Sequence, residues 1–289
     1  MVRRAVSPGR ALTSEVDKDS ESKSHHTPQI GLRVPTRVYR SRRLADAYAY
    51  SRPPVHQHIV EAMRRQLGTA APLRTALDVG CGAGLSTAAL APIARQLVGL
   101  EPSSTMLTHG RHVAPQGQFV IGGAERLPFA HETFDLVTAA GSLNYADTNA
   151  FLPEAARVLR PTGVLAIYDF SAGRRFRDDR LLDEWYDVFE QRYPAQAGYA
   201  LDVRRLPFAQ FGLRLDAYHD LEVAVPMSIE SYLRYAMSET GVELAIAAGV
   251  QETDIRDWCQ RTLEPVFADQ ARDVMFDAYI AYVSRDGRC

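Results

Sequence analysis

The sequence predicts an α/β protein built on a mostly parallel sheet, and three observations carry that prediction. Five short apolar runs, at 76–79, 97–100, 119–121, 136–140 and 164–170, alternate with helical or turn patterns. Strands separated in this way form right-handed βαβ units and pair in parallel. The first run breaks directly into a glycine-rich turn, Gly80-Cys81-Gly82-Ala83-Gly84. Of the 289 residues, 46% are hydrophobic and 24% charged, enough apolar material for a large core, which excludes wholesale disorder.

Taken in order, residues 1–35 are Ser, Thr, Asp, Glu, Lys, Pro and paired His without a sustained apolar period. Such a segment cannot bury enough surface to offset its ordering entropy and is expected to be a disordered tail. One domain follows over 36–289. Pro53 and Pro54 open a helix whose apolar positions Val55, Ile59, Val60, Met63 and Leu67 share one face, and Gly68 stops it. The five strands then occupy a core of about 47–170. Beyond Phe170, Leu181, Leu182, Trp185, Val188 and Phe189 form a helical stripe, while 213–225 and 274–283 read as strands. Helical patterns at 229–237, 242–248 and 255–263 lie between those strands. The expected architecture is a seven-stranded sheet with a late antiparallel strand and inserted cap helices over 175–211 and 228–266.

The 33 basic and 35 acidic residues give a formal charge of -2, so no general field attracts nucleic acid or an anionic membrane. Cys81, Cys259 and Cys289 share no metal-type spacing and are too few to staple the chain, which fits a reducing cytosol and a cytoplasmic protein. No apolar run approaches a membrane span, and the arginines near Met1 precede no export-type stretch.

Glycines at the end of the first strand permit a tight turn and let a ligand approach the backbone. Glu101 closes the second apolar run, where a carboxylate can accept from both hydroxyls of a ribose. The nucleotide need not be NAD: Leu85 stands where a dinucleotide fingerprint has its third glycine. Asp78, just ahead of the loop, would repel a pyrophosphate but can accept from an ammonium group.

These segments resemble the first motifs of the class I S-adenosylmethionine-dependent methyltransferases, the group that includes ubiquinone/menaquinone and small-molecule enzymes. Asp78-Val79-Gly80-Cys81-Gly82-Ala83-Gly84 resembles the donor loop, and Glu101-Pro102-Ser103 with Met106 the ribose and adenine contacts. Gly122-Gly123-Ala124-Glu125-Arg126-Leu127-Pro128-Phe129 resembles the adenine loop, and 157–163 the turn into the fifth strand. Tyr48-Ala49-Tyr50-Ser51-Arg52-Pro53 resembles the entry that closes over the cofactor. The resemblance implies a Rossmann-like fold and a donor site of Tyr48, Arg52, Asp78, Gly80, Cys81, Gly82, Gly84, Glu101, Pro102, Met106, Gly123, Ala124, Glu125, Ala140 and Gly141. Gly123 departs from the pattern: the family commonly has Asp or Asn there, so adenine would rely on backbone groups of Ala124 and Glu125, or on another side chain.

Methyl transfer needs alignment and exclusion of water more than a triad. Tyr145, Asp169 and His219 are candidate bases, each with a plainer reading as packing wall, helix cap or edge residue. Tyr145, Trp185, Phe189, Tyr232 and Tyr235 are the candidate acceptor surface, set against a purely structural cap core. His109 and His112 are spaced to share a ligand but lack an acidic or cysteine partner, His25 and His26 lack a third ligand, and His56 and His58 lie about 200° apart on their helix. No metal is expected. The expected function is methyl transfer from S-adenosylmethionine to a small-molecule acceptor; the alternative is a methyltransferase-like protein that keeps the cofactor without spending its methyl, as in a natural-product cyclase. A binding module with a degraded donor site is disfavoured by the intact loop and acid. The oligomeric state stays open, a homodimer included.

Overall fold

The computed structural model describes residues 36–68, 71–195 and 201–287, all within the unit Arg33–Cys289. The expected tail over 1–35, with His25 and His26, and also Cys289 lie outside the described residues.

After a 3-10 turn at Thr36–Arg40, helix α1 (Arg42–Ser51) starts at Ser41, whose hydroxyl accepts from Leu44 N at 3.2 Å. It stops at Arg52 because a residue before proline is driven out of the helical region. Helix α2 (Val55–Leu67) ends on Gly68 in the left-handed conformation, and its buried residues Val55, Ile59, Val60 and Met63 are four of the five expected on one face. Then follow β1 (Leu73–Val79), α3 (Leu85–Ala89), β2 (Ala94–Glu101), α4 (Ser104–Leu107), α5 (Gly110–Val113) and β3 (Gly117–Ile121). Next come β4 (Phe134–Ala140), α6 (Thr148–Val158), β5 (Leu159–Phe170), the two-residue β6 (Arg175–Phe176) and α7 (Leu181–Arg192). The chain closes with β7 (Leu213–Met227), α8 (Ile229–Met237), α9 (Thr240–Ala247), α10 (Glu252–Phe267) and β8 (Arg272–Arg285).

Strands β1 to β5 are parallel in the order β3-β2-β1-β4-β5, and β8 adds antiparallel to β5. β7 pairs antiparallel with the outer side of β8, and β6 continues the inner side of β8 beyond the end of β5. The sheet is therefore the expected one, with β6 as an unforeseen addition: two residues carry no period. Alternation along β1, β4 and β5 sends Ala76, Leu136, Ala166 and Tyr168 to one face, where α2, α7, α8 and α10 cover them. Leu77, Val79, Val137, Ala139, Leu165 and Ile167 face the opposite side with Phe151, Leu152, Ala155 and Val158 of α6. The order reverses between β1 and β4, and open α/β sheets bind ligands at the carboxyl ends beside such a reversal.

Candidate functional site

At that reversal the glycine loop is tied to its neighbours by backbone bonds. Gly80 N and Cys81 N both donate to Leu100 O, at 2.7 and 3.1 Å, and Ser142 Oγ donates to Val79 O at 2.6 Å. Gly80 has φ +72°, and a Cβ there would stand 2.3 Å from Ser142 Cβ, so only glycine lets the exits of β1 and β4 meet. Gly82 has φ +54° with only Met106 Cε near its missing Cβ, at 3.4 Å, which leaves the loop open on that side. Cys81 is buried; desolvation first, then the Asp78 and Glu101 carboxylates, raise its thiol, which is inert packing rather than a nucleophile.

Asp78, expected to accept from an ammonium group, already has three partners within the fold. Its side chain is fully buried and accepts from Ser86 Oγ at 2.6 Å, Thr87 Oγ1 at 2.7 Å and Thr138 Oγ1 at 3.0 Å. Burial raises its pKa against those three bonds, and the carboxyl fastens α3 and β4 to β1.

Glu101, at the end of β2, accepts from Gly82 N at 3.1 Å through one oxygen and from Ser103 N at 2.9 Å through the other. Each oxygen keeps a second acceptor position. Burial, set against those two bonds, raises the carboxyl above its ordinary value. Met106 is buried against Ala45, Ala49 and Ala83, while Pro102 is exposed beside it. The adenine-loop residues Gly123, Ala124 and Glu125 are half-buried. Glu125 Oε1 accepts from Asp147 N at 3.1 Å, and Oε2 lies 2.9 Å from where a Cβ of residue 123 would stand. The Glu125 carboxylate thus lies against the place where residue 123 would carry a side chain, a proximity the motif alone does not show.

Helix α1 closes over this end. The Arg52 guanidinium stands 4.1 Å from the Tyr48 ring centre and 5.2 Å from that of Tyr235, donating to Glu239 Oε1 at 3.1 Å and Ser238 O at 3.0 Å. Tyr39, absent from the sequence reading, meets Tyr48 and Tyr145 edge-on, and its hydroxyl is 3.0 Å from that of Tyr145. No motif marks Tyr39; its role depends on the fold returning its turn to the β4 exit.

Of the candidate bases, Tyr145 and Asp169 stand near one another at the strand ends and His219 lies apart. Tyr145 is 36% exposed, and desolvation raises its phenol, so it remains protonated. Asp169 accepts from Asn144 Nδ2 and Phe170 N, both at 2.8 Å, with burial raising its pKa; its Oδ1 is 2.9 Å from where a Cβ at Gly141 would stand, next to Ala140. His219 lies level with Tyr168 through Ile280, but two strands outward and exposed on β7. The structure does not bring it to the loop.

The cap aromatics, offered as acceptor surface or as cap core, pack inward. Trp185 stacks on Phe189 and donates from Nε1 to Thr262 Oγ1 at 2.8 Å. The Tyr232 hydroxyl donates to Gly173 O at 2.7 Å and that of Tyr235 accepts from Gly173 N at 3.0 Å. All four are buried within the core on the α2 face, because the helical period that exposes a stripe toward a ligand is the same one that packs a cap onto a sheet.

Residues 77–167 match the methyltransferase domain family. A demethylmenaquinone methyltransferase of Corynebacterium kroppenstedtii is 42% identical over 96 residues, 33% of this chain and 41% of that protein. A phthiotriol/phenolphthiotriol dimycocerosates methyltransferase of Mycobacterium leprae is 39% identical over 114 residues, 38% and 40% of the two chains. The chain thus spans about two fifths of the length of these curated relatives. A solved structure from Anaeromyxobacter dehalogenans, provisionally assigned as a type II methyltransferase, aligns with a TM-score of 0.58 at 23% identity over 78% of this chain and 95% of that one, which shows the shared fold. The sheet order, the loop at its reversal and the match over 77–167 together show a methyltransferase domain of Rossmann-like fold within this chain.

Proposed function

We propose that this protein transfers a methyl group from S-adenosylmethionine to a small-molecule acceptor. The observation that carries the reading is Glu101, whose carboxylate is bonded to the glycine loop itself through Gly82 N while each oxygen retains room for a ribose hydroxyl. The open side of Gly82 beside Met106 is the cradle for the nucleoside, so the residues present fit this cofactor. When bound, the sulfonium group supplies an already activated methyl.

The chain's own work is to hold and to exclude. Glu101 binds ribose, Met106 and Pro102 flank adenine, and Glu125 supplies the acidic edge that Gly123 lacks. Gly80 and Gly141 leave backbone exposed at the strand ends, while Asp78 stiffens the loop from behind. Tyr48 and Arg52 hold α1 across the entrance and keep water out. The names of the two relatives, which speak of demethylmenaquinone and of phthiotriol dimycocerosates, support a small-molecule acceptor, as does the formal charge of -2. No helix among the described residues is long and apolar enough to cross a membrane.

The purified chain should show one calorimetric site for S-adenosylhomocysteine and gain thermal stability with it, by about 2.7 kcal/mol at a hundredfold excess over Kd. A response to NAD and none to S-adenosylhomocysteine sinks the reading. Accumulation of S-adenosylhomocysteine during turnover separates transfer from mere retention of the cofactor.

A further inference from the structure

On the α2 face of β5 stands a polar group that the donor site does not use. His56, in the first turn of α2, places Nδ1 3.0 Å from the Tyr168 hydroxyl, and its ring meets those of Tyr168 and Phe170 edge-on at 5.8 and 5.1 Å. Tyr168 pairs with Ala140 in the sheet and its carbonyl accepts from Gly141 N at 2.8 Å, so the pair stands at the same strand ends as the donor loop. Tyr168 is 1% exposed and its hydroxyl has no other partner among the described residues. A buried hydroxyl hydrogen needs an acceptor, so O–H donates to His56 Nδ1; this assignment, made from the network, leaves the remaining imidazole proton on Nε2.

Nε2 has no hydrogen-bond partner among the described residues. The neighbouring Arg52 has its Nη atoms engaged, while its buried Nε has no acceptor. The carboxylates that act on this group are already in use: Glu239 on Arg52, Asp169 on Asn144 and Phe170 N, and Asp78 on three hydroxyls. Two donors, the half-buried His56 Nε2 and the buried Arg52 Nε, are thus left without a protein acceptor among the described residues, and a ligand oxygen is the chemistry that would satisfy them.

We propose that His56, fixed by Tyr168, holds the acceptor molecule by donating from Nε2 to an oxygen on it, so that the acceptor presents a carbonyl, carboxylate or ionised hydroxyl oxygen there instead of an ammonium group. The proposal rests on the methyl-transfer reading above and names the acceptor class for it. Desolvation, then the Arg52 charge, lowers His56 to about 4, which keeps the ring neutral and its single proton on Nε2 at pH 7.

The test uses the full chain, ¹⁵N-labelled at histidine, with 2-naphthoate and 2-naphthylmethylamine as probes of equal shape and opposite charge. The free chain at pH 7 should show His56 as the neutral Nε2–H tautomer, and Tyr168→Phe should mix the tautomers. In the presence of S-adenosylhomocysteine, 2-naphthoate should shift the His56 resonance and the amine should not. His56→Phe should bind 2-naphthoate about 10- to 150-fold more weakly, His56→Gln should restore part of that loss, and S-adenosylhomocysteine affinity should be unchanged in both. An Nδ1–H or doubly protonated ring at pH 7, tighter binding of the amine, or undiminished naphthoate binding by His56→Phe overturns the proposal. Failure of S-adenosylhomocysteine to bind overturns the methyl-transfer reading instead, and the tautomer of the free chain still decides the role of His56.

Discussion

Glu101 shows how one side chain couples loop geometry to ligand affinity, since the same two oxygens that would accept from ribose already hold Gly82 N and Ser103 N. Glu101→Gln turns one of those oxygens into a donor that faces a donor. Hydrogen bonds to a charged group contribute about 1.5–3 kcal/mol, so calorimetry should find S-adenosylhomocysteine bound about 10- to 150-fold more weakly. A folded variant with parental affinity would remove Glu101 from the site. His56 makes a second prediction at this scale. Its ordinary value of 6.5 falls to about 4 in the folded chain, chiefly through burial and then through Arg52. Between those values the unfolded chain holds the extra proton, so stability declines as pH falls from about 6.5 to about 4 and is intact above that window. Denaturation midpoints of His56→Gln should fall less over the same range than those of the parent; equal slopes would show that the ring is not held neutral. Both residues were legible to different degrees. Glu101 announces itself by closing an apolar run after a glycine loop, whereas His56 resembles any helical histidine until Tyr168 is placed against it.

Among the elements, the cap helices were readable as helices, while their pattern left open whether the aromatics meet an acceptor or form core. The bounds of α8 coincide with the segment predicted from its period, yet Tyr232 and Tyr235 turn inward to bracket Gly173 with their hydroxyls. Periodicity tells which residues share a face and is silent on whether that face meets solvent, ligand or sheet. Tyr232→Ala should therefore cost about 3–5 kcal/mol, the range for truncating a buried aromatic, with melting temperature, donor affinity and turnover falling together. Tyr232→Phe, which loses only the bond to Gly173 O, should cost about 1 kcal/mol. Loss of turnover alone, at unchanged melting temperature, would return Tyr232 to the acceptor surface. Helix α1 is held differently, by Arg43 on Glu243 at 2.6 Å and by Arg52 on Glu239, and it buries only Leu44, Ala45 and Ala49.

Across the molecule these differences predict an uneven stability. β8 is hydrogen-bonded on both sides, to β7 along its length and to β5 and β6 on the other edge, and β4 lies between β1 and β5. Amides of β4, β5 and β8 should exchange last with solvent, and those of α1 early, because few apolar contacts and side-chain ties resist its opening. S-Adenosylhomocysteine should slow α1 more than β8; equal protection of both would mean that α1 is not the entrance. The sequence by itself determined the strand succession, the helix ends at Pro53 and Gly68, the glycine loop and the acid that ends β2, since each is a local demand: a period, a backbone angle or a terminal residue. Only the tertiary structure decided that Asp78 faces hydroxyls, that Glu125 lies against the place of a side chain at Gly123, that the cap aromatics are core and that His56 meets Tyr168. Those outcomes depend on partners such as Thr138 for Asp78, 60 residues away, and Tyr168 for His56, 112 residues away, and no local pattern specifies which distant side chain a buried polar group will find.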